Sequence, residues 1–129
     1  MYRSFEDLDV WKRSCQLSVA LYEALRDCRE FDLRNQMQRA AVSIPSNIAE
    51  GAERGGRDFQ RFLRIARGSA AELRTQLYIA RRIGILQEQP FNSALSELRG
   101  ISKMLTGLAR SLAVESKTEN RKPKTESES

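Results

Sequence analysis

The chain has 129 residues, of which 40% are hydrophobic and 30% charged, and its formal net charge is +5. This length and apolar content suit one domain with one hydrophobic core. The longest uncharged run, residues 40–49, is about half as long as a membrane span. The first ten residues carry Glu6, Asp7 and Asp9, where a secretory signal would be basic. We therefore expect a cytoplasmic protein without membrane association.

Apolar residues recur with a helical period in four segments, near residues 7–28, 33–51, 57–84 and 91–113. Asp32 is a candidate N-cap for the second segment, and glycines in residues 51–56 interrupt the chain twice after it. No segment alternates polar and apolar residues as a half-buried strand would. We predict an all-α, antiparallel up-and-down four-helix bundle over residues 1–114.

The first predicted helix carries two apolar stripes. One stripe consists of Leu8, Trp11, Cys15, Val19 and Tyr22, and the other, nearly opposite, of Val10, Leu17, Leu21, Ala24 and Cys28. A helix at the surface of a monomer needs an apolar arc of only about 100°. The surplus predicts a subunit interface; the alternative is that this helix is central in its own bundle.

The second predicted helix carries a polar row on one face, formed by Gln36, Arg39, Ser43, Asn47 and Glu50. Pro45 in the middle of this helix predicts a kink or a break. Ser46 and Asn47 would then satisfy the freed backbone groups. Asn47 and Glu50 also have the spacing of a capping box. The row either joins subunits or neighbouring helices, or it forms a ligand-binding surface in which Arg39 contacts an anion.

The third predicted helix is rich in arginine, with Arg57, Arg61, Arg64, Arg67, Arg74, Arg81 and Arg82 on the side opposite its apolar residues. The planar guanidinium group matches phosphate oxygens, so this face indicates nucleic-acid binding. The alternative is a solvated face that forms salt bridges to Glu23, Asp27 or Glu97. Gly68 lies inside this helix and predicts close helix packing.

The last predicted helix is amphipathic, with Arg99, Lys103 and Arg110 opposite its apolar side. Residues 115–129 contain no apolar side chain, one proline, and four basic against four acidic residues. Such a segment cannot bury enough apolar surface to fold, so we predict a disordered polar tail.

Residue types needed for catalysis are scarce. The chain contains no histidine, the commonest general base and metal ligand. Residues 51–56 lack the lysine of a phosphate-binding loop, and Ser43 and Ser46 have no histidine to activate them. We expect no enzymatic activity, no cofactor and no metal site.

The run QMQRAAVSIPSNIAEG at residues 36–51 resembles the bacterial four-helix-bundle proteins encoded by intervening sequences of 23S ribosomal RNA genes. Arg54, Phe59, the RFL run at residues 61–63, the GSAAEL run at residues 68–73 and the opening FEDLDVW at residues 5–11 fit the same family. The resemblance covers roughly residues 5–112. The short connection at residues 28–33 and the Gly55–Gly56 pair depart from the family pattern.

The resemblance implies an up-and-down bundle that assembles into a barrel-like homopentamer without established enzymatic activity. It also implies kinship with accessory proteins of retroelements, which bind nucleic acid and a reverse transcriptase, so RNA, DNA, a reverse transcriptase or a ribosomal component are candidate partners. The leading hypothesis is an oligomeric bundle that binds nucleic acid independently of sequence. The alternative is a protein-interaction scaffold that does not bind nucleic acid.

Overall fold

A computed structural model describes residues 4–120, with side chains as far as residue 117. A short 3-10 helix, Phe5–Asp7, precedes four α-helices: α1 (Asp9–Ala24), α2 (Phe31–Arg54), α3 (Gly56–Arg82) and α4 (Glu88–Asn120). Residues 4–120 contain no β-strand. The prediction of an all-α protein with four helices is confirmed.

The four helices surround one hydrophobic core. Each helix packs against its neighbours along the chain, and α1 also packs against α4. Within residues 4–120, α1 and α3 have no Cα atoms within 8 Å of each other, and neither do α2 and α4. The order around the bundle therefore follows the order along the chain, as an up-and-down bundle requires. All four helices contribute fully buried side chains, among them Leu21, Met37, Ile44, Ile48, Leu63, Leu73, Leu77, Leu98, Ile101 and Leu105.

Two of the connections depend on glycine in the left-handed region. Gly55, with φ of 73°, is the single residue between α2 and α3, and Gly56 begins α3 with φ of 57°. After α3, Gly84 has φ of 84°. The Gly84 amide donates to the carbonyl of Arg81 at 3.2 Å and the Ile85 amide to that of Ala80 at 3.0 Å, which is a Schellman ending.

The start and end of the first connection differ from the prediction. The helix α1 ends at Ala24, four residues earlier than expected. Beyond it the backbone forms a tighter turn, in which the Cys28 amide donates to the carbonyl of Leu25, three residues earlier, at 3.0 Å. Cys28 therefore lies beyond the helix and does not extend its apolar stripe. Asp32 is not the N-cap of α2; Glu30 holds that position, and Asp32 lies in the first turn, where a carboxylate favours the helix dipole.

The helix α2 continues through Pro45 and Gly51, so the chain does not break at either position. Pro45 lies inside the helix, and α2 ends at Arg54 instead of Gly51. Asn47 does not act as a cap; its side-chain amide donates to the Ser43 carbonyl at 2.7 Å and to the Ser43 hydroxyl at 2.9 Å. Gly51 lies inside α2, where a Cβ would lie 2.7 Å from the Cβ of Phe62, so glycine at this position lets α3 pack closely.

The helix α4 extends further than the sequence pattern suggests. It begins at Glu88 and continues to Asn120, so residues 115–120, which we assigned to the polar tail, are helical. Residues 108–120 contain no proline or glycine, so the backbone hydrogen bonds of the helix can continue past its last apolar residues. The rest of the predicted tail, residues 121–129, lies outside the described residues. In the described part of the chain, every helix is too short or too polar to cross a membrane.

Candidate nucleic-acid interface

An open groove of about 950 Å³ lies between α3 and α4. The helix α3 contributes Arg64, Arg67, Gly68, Ala71 and Arg74, and α4 contributes Arg99, Ser102, Lys103, Thr106, Gly107 and Arg110. On each helix these positions are three or four residues apart or adjacent, so they share one face. The opposite faces supply core residues such as Leu73 and Leu105. Burial of the apolar faces therefore turns the basic faces of both helices toward one groove.

The groove carries positive charge without internal compensation. Six of its side chains are cations and none is an acid: Arg64, Arg67, Arg74, Arg99, Lys103 and Arg110. Within residues 4–117, none of these six has a carboxylate oxygen within 4.0 Å. Arg99 donates a hydrogen bond at 3.2 Å to the hydroxyl of Tyr78, which is neutral. Charges of one sign on two facing helices repel one another, and a bound polyanion would relieve that repulsion.

The acids that could have neutralised the arginine face of α3 lie elsewhere. Glu97 accepts two hydrogen bonds from Arg13 of α1, at 2.6 Å and 3.1 Å. Arg13 thereby holds the pKa of the Glu97 carboxyl below its usual range. Over the described residues, Glu23 and Asp27 have no arginine of α3 within 4.0 Å. The expected alternative, a salt-bridged face, is therefore not formed at the groove.

The seven predicted arginines of α3 do not act as one group. Arg64, Arg67 and Arg74 line the groove. Near the start of α3, Arg61 lies 3.6 Å from Asp58, and its guanidinium carbon lies 4.6 Å from the ring centre of Phe62. Arg81 donates to the carbonyl of Leu86 at 3.4 Å, at the end of the helix. Arg57 and Arg82 are exposed and do not line the groove.

The polar row of α2 lies apart from the groove. Its Ser43 hydroxyl shares a hydrogen bond of 2.8 Å with that of Ser69, so the centre of the row joins α2 to α3 within one subunit. Glu50 lies 3.8 Å from Arg54 on the same helix, and Gln36 is exposed. Arg39 lines a separate shallow hollow with Tyr22, Asn35, Gln38, Val42, Ser43 and Ser46. The structure therefore does not bring Arg39 together with the arginines of α3.

Residues 6–107 match the family of 23S rRNA-intervening sequence proteins. The chain belongs to this family. A solved structure of similar fold is a protein of unknown function from the S23 ribosomal protein family of Bacteroides thetaiotaomicron; it is 27% identical, with a TM-score of 0.72, and the match covers 78% of this chain and 97% of that one. Among curated proteins, none matches the chain. The resemblance stated from the sequence is thus confirmed.

The nucleic-acid-binding site predicted for this 23S rRNA-intervening sequence protein from its sequence did not include the α4 half of the basic groove. Arg99, Lys103 and Arg110 stand out in the sequence as the polar side of the last helix, but nothing local shows which helix they face. The signal that could have identified them is their spacing, since all three lie on one helical face and lack a nearby acid on it. Their pairing with α3 follows from the order of helices around the bundle.

Gly68 and Gly107 both line the groove and are both exposed. A Cβ at either position would have no neighbouring atom within 4 Å, so the close packing that we expected at Gly68 is wrong. Glycine inside a helix costs about 1 kcal/mol relative to alanine. By contrast, a Cβ at Gly100 would lie 2.7 Å from the side chain of Arg13. Within the described part of one subunit, the two glycines of the groove therefore have no packing role that would offset their cost.

A second surface of this family member is apolar and lies over α1 and α2. We define the apolar face by Trp11, Cys15, Val19, Tyr22 and Val42. Val19 is 58% exposed, Tyr22 49% and Val42 41%, and a hollow of about 390 Å³ opens beside Trp11 and Cys15. Burial raises the pKa of the Cys15 thiol. The other stripe of α1, with Val10, Leu17 and Leu21, is buried in the core.

Proposed function

We propose that this protein is a non-enzymatic, self-associating helical bundle that binds the phosphates of RNA or DNA independently of sequence. The observation that supports the proposal is the row of unpaired cations on each wall of the groove, Arg64, Arg67 and Arg74 on α3 and Arg99, Lys103 and Arg110 on α4. Five of these six are arginine, whose forked guanidinium can donate two parallel hydrogen bonds to one phosphate.

The chemistry of the groove suits phosphate oxygens. Its polar side chains are guanidinium, ammonium and hydroxyl groups, which all donate hydrogen bonds to phosphate oxygens. Asparagine and glutamine, which pair with adenine edges, are not among its lining residues. Its lining residues include no histidine, aspartate, glutamate or cysteine that could act as a general base, so we assign it no reaction.

Self-association is supported by the apolar face. Val19, Tyr22 and Val42 expose large apolar side chains on adjacent helices, and contiguous apolar patches commonly mark protein interfaces. The family resemblance makes a homopentamer the expected assembly. Because α1 and α2 lie across the bundle from α4 and α3, an assembly through the apolar face would leave the basic groove accessible in every subunit.

The experiment measures binding to RNA and DNA duplexes of about 20 base pairs between ~50 and 200 mM salt. The groove variant is the triple change Arg67→Gln, Arg74→Gln and Lys103→Gln. The matched control, Lys12→Gln, Arg57→Gln and Arg82→Gln, removes the same charge from exposed positions outside the groove. If each groove cation contacts one phosphate, the groove variant should flatten the slope of log affinity against log salt by about 2.7, and the control should change it much less.

Equal slopes for the groove variant and the control would show that net charge, and not the groove, determines binding. Failure of the unmodified protein to bind any duplex or single strand at ~50 mM salt would remove nucleic acid as the ligand. That result would favour the scaffold, with an acidic protein as the occupant of the groove.

A further inference from the structure

The shape of the groove indicates which form of nucleic acid it accommodates. The cations on α3 span residues 64–74 and those on α4 span residues 99–110, which is about 15 Å and about 16 Å of helix. Among these cations, Gly68, Ala71 and Gly107 place no bulky side chain on the helix surface at their own positions. The glycines have exposed positions where a side chain would project into open space. A broad, rigid ligand can therefore approach the backbone of both helices closely at Gly68 and Gly107.

We propose that the groove seats one sugar–phosphate strand of a double helix, with the duplex resting against the bare helix surfaces at Gly68 and Gly107. The inference depends on the proposed binding of nucleic acid and adds the class of ligand. The two rows of cations contact the same strand from its two sides. The duplex is recognised by its backbone and its shape, not by its bases.

The side chains of the groove favour a duplex over a single strand. Proteins that bind single strands stack the bases on aromatic rings, and this stacking offsets the entropy lost by ordering a flexible chain. No lining residue of the groove is aromatic. Tyr78, the nearby tyrosine that accepts a hydrogen bond from Arg99, packs edge-on against Phe91 with ring centres 5.4 Å apart. A duplex has already lost that entropy and presents a higher density of phosphate charge.

The test adds side chains at Gly68 and Gly107 without changing the charge of the groove. The variant Gly68→Leu with Gly107→Leu should raise the Tm, because leucine is a far better helix former than glycine and meets no neighbour at either position. It should also weaken binding to an RNA or DNA duplex about tenfold at ~0.1 M salt, as displacement of the duplex removes about one phosphate contact. The control, Ser93→Leu with Ser111→Leu, adds the same side chains to exposed positions of α4 outside the groove and should leave binding unchanged.

A second arm compares a duplex with a single strand of the same sequence. The unmodified protein should bind the duplex more tightly, and the leucine variant should reduce that preference. Equal or tighter binding of the single strand would overturn the inference, and so would duplex binding that the leucine variant leaves intact. Either result, combined with a salt slope that still depends on Arg67, Arg74 and Lys103, would leave the proposed function standing. A comparison of duplex RNA with duplex DNA identifies which of the two is preferred.

Discussion

Gly51 allows α2 and α3 to pack closely, and its replacement should destabilise the bundle. A Cβ at this position would lie 2.7 Å from the Cβ of Phe62 and 3.3 Å from the Cα of Phe59, and the second of these is backbone that cannot rotate away. Gly51→Ala should therefore lower the free energy of unfolding by roughly 1–3 kcal/mol, as overpacking does in other cores. Urea denaturation followed by circular dichroism measures the change.

Gly68→Ala is the matched control for that substitution. The chemical change is the same and both sites are helical, but the new methyl group at Gly68 has no neighbour within 4 Å. It should raise the free energy of unfolding by about 1 kcal/mol through helix propensity alone. If both variants shifted the free energy of unfolding in the same direction, the close approach of α2 and α3 would not explain the need for glycine at position 51.

The Arg13–Glu97 pair makes the junction of α1 and α4 sensitive to acid. Two hydrogen bonds from Arg13 lower the pKa of Glu97 below its usual value of 4.5. A carboxyl with a lowered folded pKa stabilises the protein above its unfolded pKa, and this contribution is lost as the pH falls through the folded pKa. Glu97→Gln should therefore lower the Tm at about pH 7 but have little effect near pH ~2.

Thermal denaturation of the unmodified protein and Glu97→Gln across this pH range measures the difference. Both side chains are more than one-third exposed, so water screens the pair and the effect should be small. Glu53→Gln, an exposed carboxylate outside every ion pair within residues 4–117, is the control. A Tm difference between Glu97→Gln and the unmodified protein that stayed constant with pH would contradict the lowered pKa of Glu97.

At the scale of the helix, the two stripes of α1 should respond differently to a charge. Val19 is 58% exposed, so Val19→Asp should leave the subunit folded and dissociate an assembly formed through the apolar face. Val10 and Leu17 are 4% and 3% exposed, so Val10→Asp or Leu17→Asp should unfold the bundle by placing an unpaired charge in its core. Light scattering reports the mass of the assembly, and circular dichroism reports folding.

Ala20→Asp places the same charge at the neighbouring exposed position of α1, outside the apolar stripe, and serves as the control. It should affect the assembly less than Val19→Asp does. A monomeric unmodified protein at micromolar concentration would contradict the assignment of the apolar face as an interface between subunits.

At the scale of the whole molecule, the apolar face and the basic groove occupy opposite pairs of helices. An assembly through α1 and α2 would present several grooves to one long duplex, and linked sites bind with a higher effective concentration. Val19→Asp should therefore weaken binding to a duplex that is long enough to reach several subunits and leave binding to a short duplex unchanged. Fluorescence anisotropy with the two lengths measures both affinities. Equal weakening for both lengths would indicate that the substitution acts on the groove itself.

The amino-acid sequence by itself determined the elements of this protein, because helical periodicity is a local property. The apolar period predicted four helices, and the family motif at residues 36–51 was recognisable without a structure. The helix ends were less accurate. Gly51 and Pro45 ordinarily interrupt helices, yet α2 passes through both because packing against the neighbouring helices α1 and α3 stabilises it.

Only the tertiary structure decided which of these surfaces meet. The sequence could not tell which stripe of α1 is buried, because both stripes have the same period and similar hydrophobicity. It placed Arg67 and Lys103 on different helices, and only the order of helices around the bundle brings them to one groove. It also offered Glu97 as a partner for the arginines of α3, whereas α4 turns that carboxylate toward Arg13 of α1. Charge pairing depends on distances between helices, which no local pattern records.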